Sequence, residues 1–156
     1  MLKLAVLELF ARGVPEGLLF VLAAYTFAGK RIDWKRYFLT ATIYTVIVYL
    51  IRLLPIQLGI NTIMALIGLI VLYVVINKLE IVQAIQVSII TVILEFLCEA
   101  VNVIIIKNIL KVDIQYVFSR PDLKVLYGIP SLLIFMLVVA GYYVMLLRKG
   151  KLQRVN

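Results

Sequence analysis

Five apolar runs, at 4–28, 37–54, 58–76, 81–106 and 125–147, take up most of this chain. A hydrocarbon core of ~30 Å requires about 20 helical residues at ~1.5 Å rise each, and every run is near that length. The chain is 65% hydrophobic, against roughly half in a soluble domain. These runs predict an all-α, polytopic membrane helix bundle of about five transmembrane helices. It forms a single transmembrane domain over 1–156, multi-pass in the cell membrane, with a basic tail at 148–156 and no room for a soluble catalytic lobe. The first run holds Arg12, Pro15 and Glu16 and lacks a small-residue cleavage site, so it reads as a retained helix and not a signal peptide.

Lysine and arginine in the short connections set the expected orientation. Lys30, Arg31, Lys35 and Arg36 sit in the first loop, and Arg148, Lys149, Lys151 and Arg154 in the tail. Five spans bring that loop and that tail to one side, predicted to be cytoplasmic with the N-terminus outside. The net charge of +8 then reads as topology and contact with anionic lipid, and nucleic acid is not expected as a partner. The segment 107–124 reads as partly amphipathic, with Ile109, Leu110, Ile114, Val117 and Phe118 toward lipid. A miscounted span is its alternative. Ser119-Arg120-Pro121-Asp122 reads as the turn that starts the last helix.

Several chemistries are disfavoured by residue type. The chain has no histidine, which excludes histidine catalysis and histidine metal sites. Cys98, the single cysteine, reads as a small buried hydrophobe. All aspartates lie in loops, so intramembrane aspartyl proteolysis has no residues to use. No enzyme, metal or cofactor is expected.

Ionisable residues inside a span are costly and face protein or water. Ser88, Thr91, Glu95, Glu99 and Asn102 recur at spacings of 3, 4, 4 and 3, one helical face. Thr42, Thr45, Tyr49 and Arg52 recur at 3, 4 and 3 and read as a matching inward face. At ~1.5 Å per residue, Arg52 lies about 22 Å from the inner end of its span, Glu95 about 21 Å and Glu99 about 27 Å. Arg12 and Glu16 lie about 12 and 18 Å below Leu4. The expectation is a cluster in the outer half, Arg12 and Arg52 against Glu16, Glu95 and Glu99, with Asn102 beside it as a candidate ligand or ion site. The competing reading is that such pairs only lock the bundle.

Gly13 and Gly17, continued by Ala24 and Ala28, form a small-residue face for close helix packing. Pro15 removes one backbone bond and bends the first helix, freeing a carbonyl near Ala11. In "YLIRLLPIQLGINTI", Pro55 and Gly59 break the chain, while Gln57 and Asn61 satisfy freed backbone groups. "NKLE", residues 77–80, reads as a tight hairpin.

The order "PEGLL", "RLLPIQLGINT", "ILEFLCE" resembles the membrane-embedded N-terminal sensor region of Gram-positive sensor histidine kinases. The resemblance implies Glu16, Arg52, Pro55, Gly59 and Glu95 as motif positions. No phospho-accepting histidine and no nucleotide-binding lobe follow Leu147, so it implies a stand-alone module that signals through a partner or does not signal at all. A membrane protein partner or a homo-oligomer is expected. The functional expectation is a small sensory or regulatory membrane protein. The alternatives are a transporter's membrane subunit, whether substrate-binding or a small-solute carrier, and a helix-packing scaffold. The usual six spans of vitamin-uptake subunits count against the transporter reading.

Overall fold

The computed structural model describes residues 9–54, 58–109, 111 and 120–153. Among them the chain is helical: a π-helical turn, Leu9–Gly13, leads into α1 (Val14–Phe27), followed by α2 (Trp34–Leu53), α3 (Leu58–Val75), α4 (Ile81–Asn108) and α5 (Pro121–Arg148). α2, α4 and α5 are long and apolar enough to cross a membrane, whereas α1 and the described part of α3 are shorter. The shell supports the same class. Leu50, Ile63, Ile67, Ile93, Leu97 and Leu137 are among the many large apolar side chains left bare on the outside, as suits a surface in contact with lipid and not with water. The chain is therefore built as a membrane protein.

Pro15 lies at the start of α1 and not in its middle. It sits in the helix's first turn, and the wider π turn lies just before it. Proline cannot donate to the carbonyl four residues back, and a π turn shifts the ladder there by one residue. Gly13 keeps helical dihedrals, φ −62° and ψ −43°, so the two pieces run on as one.

α1 is the hub of the bundle and packs against α2, α4 and α5. Gly17 lets α2 approach: a Cβ there would lie 2.4 Å from Thr45 Oγ1 and 3.2 Å from the Ala41 carbonyl. The Thr45 hydroxyl donates to the Ala41 carbonyl of its own helix at 2.8 Å, and the Gly13 carbonyl lies 3.3 Å from the same oxygen. Ala24 is buried in the core, and the Ala28 carbonyl accepts from Gln83 Nε2 at 3.2 Å. Lipid tails are as apolar as leucine, so packing and interhelical hydrogen bonds hold such helices together. Phe20 supplies much of the packing, stacking on Tyr44 at 5.6 Å and tilting against Phe135 at 5.9 Å. Tyr37 and Tyr73 donate to the Leu18 and Phe20 carbonyls, each at 2.8 Å.

The connections are short and hydrogen-bonded. Gly29, at φ +64°, turns the chain out of α1. Asp33 then caps α2, its carboxylate accepting from the Lys35 amide at 3.1 Å. Between α3 and α4, Lys78 takes φ +53°, while buried Asn77 accepts from Thr40 Oγ1 at 2.9 Å and Tyr25 Oη at 3.5 Å. After α5 the tail folds back on the first loop: the Arg31 amide donates to the Gln153 carbonyl, and the Gln153 amide to the Gly29 carbonyl, both at 2.8 Å. The two basic segments thus share one end of the bundle.

Two local expectations need correction. Gly59 breaks nothing, because it lies inside the first turn of α3. The inward face of α2 carries Tyr37, Thr40, Ala41, Tyr44 and Thr45, so Thr42 is turned outward. Its hydroxyl is satisfied by the Phe38 carbonyl of its own helix at 2.8 Å, and needs no protein partner. Pro55, Gln57, Leu110, Ile114, Val117 and Phe118 lie outside the described residues, and so does most of the amphipathic reading of 107–124.

Candidate functional site

At the end of the bundle opposite the joined basic segments, α1, α2, α3, α4 and α5 surround a cavity of about 630 Å³. That volume lies within the range of small-molecule pockets, roughly 300–1,000 Å³. Arg12, Glu16, Arg52, Glu95, Glu99 and Asn102 all line it. Each reaches the cavity for a local reason. The turn before α1 presents Arg12, and Glu16 follows one helical turn later. Arg52 stands in the last turn of α2. Glu95, Glu99 and Asn102 share the inward face of α4, where Ser88 and Thr91 are fully buried below them.

The charges pair in a definite order. Arg12 Nη2 donates to Glu99 Oε1 across α1 and α4. Arg12 Nε also stands 3.9 Å from Glu16 Oε2 on its own helix. Arg52 Nη2 reaches the same Glu16 oxygen at 3.5 Å. Arg52 therefore turns inward, and its direct partner is Glu16 on α1, not Glu95 or Glu99. The matched depths place these groups level with one another, but the direction of each side chain follows from how the helices rotate and cross.

Glu95 stands apart. Among the described residues it makes no direct ion pair, although Arg12, Arg52, Glu16 and Glu99 all lie within electrostatic reach. Two guanidinium groups thus face three carboxylates. Beside them, Asn102 Nδ2 donates to the Tyr127 carbonyl at 2.6 Å, which leaves Asn102 Oδ1 buried and without a partner. Asn61 Oδ1, on the α3 wall, is in the same position.

Several wall residues stand outside the charged cluster expected from the sequence. Tyr44 and Phe20 line the inner end of the cavity, hidden among aromatic and apolar neighbours. The spacing Tyr44, Val48, Ile51 is the signal that could have exposed this face of α2. Gly128 admits Arg12, since a Cβ there would lie 3.0 Å from Nη1. Asn61, read as a helix-end cap, instead lines the cavity. The helix-packing residues Gly13, Gly17, Ala24 and Ala28 lie off the cavity wall, and Cys98 is buried in the core beside it.

Comparison with protein-family models, with curated proteins and with solved structures finds no match.

Proposed function

We propose that this chain is a non-enzymatic sensory or regulatory protein of the cell membrane, with five spans, whose outer cavity receives a small ligand. The observation that carries this reading is the cavity itself, walled by five charged side chains drawn from three helices. Isolated ion pairs can lock a bundle without enclosing space, whereas these stand around about 630 Å³. The resemblance of "PEGLL", "RLLPIQLGINT" and "ILEFLCE" to kinase sensor regions supports sensing. The basic loop and tail then form the cytoplasmic face, with Trp34 exposed at its edge, in keeping with tryptophan at membrane interfaces. Anionic lipid and a partner membrane protein would meet that face.

Two measurements test this. In a Cys98→Ser background, Ala65→Cys on the cavity wall should react with a membrane-impermeant maleimide added from outside. Labelling only from the cytoplasmic side sinks the outer-cavity reading. The second follows a fluorophore at Lys149, whose emission should shift when a ligand fills the cavity. Ligand flux into liposomes without such a shift would instead favour the transporter subunit.

A further inference from the structure

The cavity's polar groups specify the sign of charge they lack. The direct ion pairs use both guanidinium groups, Arg12 with Glu99 and Glu16, and Arg52 with Glu16. An anion would have to compete with carboxylates for each of them. Glu95 is the group left over. The sum of the cluster is two positive against three negative charges, one negative in excess when all are ionised.

The uncharged groups agree with that sign. Asn102 is 5% exposed. Its amide orientation is set by the bond from Nδ2 to the Tyr127 carbonyl, so the atom without a partner is the acceptor Oδ1. The Asn61 atom without a partner is also an acceptor, Oδ1. A buried acceptor with no donor is destabilising, and a ligand carrying N–H donors satisfies it. The one fully buried donor without a hydrogen-bond partner on the wall among the described residues, Arg12 Nε, already faces a carboxylate at 3.9 Å.

Size and lining narrow the cation's class. Among the described residues no three acidic or sulfur ligands converge as they would on a metal ion. The cavity is many times larger than a bare ion requires, and the rings of Phe20 and Tyr44 line it. Aromatic faces attract ammonium groups and accept an alkyl chain.

From these observations we propose that the occupant is an organic ammonium ion, its N–H groups shared among Glu95, Asn102 Oδ1 and Asn61 Oδ1, with its apolar body against the aromatic wall. The inference rests on the cavity being a ligand site open to the outside, and its test separates the two ideas. The protein carrying Ala65→Cys and Cys98→Ser, in lipid nanodiscs, is labelled in the presence of n-butylammonium, n-butanol or butyrate, three probes of nearly equal size. Butylammonium should slow labelling in a saturable way, with the other two at least tenfold weaker. Glu95→Gln should weaken protection by butylammonium at least tenfold. Asn61→Asp, which adds a carboxylate while keeping an acceptor, should strengthen it, an effect that damage to the fold does not produce. Protection by butyrate or butanol as strong as by butylammonium overturns the ammonium assignment and leaves the cavity reading standing. Ready labelling that no probe slows also overturns it. An introduced thiol that the maleimide cannot reach from outside overturns the cavity reading itself.

Discussion

The least forgiving positions are those where two helices touch through a missing or satisfied atom. Gly17 is the sharpest. Its replacement by alanine puts a methyl 2.4 Å from Thr45 Oγ1, so α1 and α2 must separate, an overpacking cost of ~1–3 kcal/mol. Thr45→Ala removes that atom. In a double-mutant cycle followed by unfolding in mixed micelles, Gly17→Ala should therefore cost less on the Thr45→Ala background. The two threonines of α2 should differ as strongly. Thr42→Val should change stability by less than ~0.5 kcal/mol, because the hydroxyl faces outward. Thr40→Val should cost ~1–2 kcal/mol, because the buried Asn77 Oδ1 loses its closer donor. Equal effects would show that the α2 face is wrongly placed. Arg12→Gln leaves Glu99 without its direct partner. Breaking a buried pair costs ~3–5 kcal/mol, and the low end is expected here, since the Glu99 side chain is 35% exposed.

At the scale of elements, legibility follows from how local the cause is. The α4 stripe could be read directly, since Ser88, Thr91, Glu95, Glu99 and Asn102 sit on one unbroken helix whose period is set by backbone geometry alone. The α2 stripe could not. A threonine in a helix has a carbonyl of its own to bond, so its polarity does not say which way it faces, and Thr42 turns out. Pro15 is similar, because a missing donor predicts a disturbed ladder but not that a π turn absorbs it. The pairing of the first loop with the tail depends on residues more than a hundred positions apart. It makes one prediction: a chain ending at Lys151 should show faster hydrogen exchange at the Arg31 amide, which loses the Gln153 carbonyl, than at the Ile32 amide, which keeps the Tyr143 hydroxyl at 3.3 Å. Unchanged exchange at Arg31 would mean that the bridge does not hold the loop.

At the scale of the whole molecule, composition and run length decide the class. A chain this apolar, with charges gathered between its runs, has a lipid bilayer as the solvent that suits its surface. Periodicity on α4, and depth along each run, also name the charged residues that gather at one level. The connections among them come from tertiary structure alone. That Arg52 pairs with Glu16 while Arg12 takes Glu99, that Glu95 is left without a direct partner, and that Tyr44, Asn61 and Gly128 share their cavity all depend on the rotation of five helices about their axes. A linear pattern sets each helix's own faces through fixed backbone geometry. Which face meets which, and whether space remains between them, is set by side-chain volumes at helix crossings, at Gly17 against Thr45 and at Phe20 against Tyr44 and Phe135.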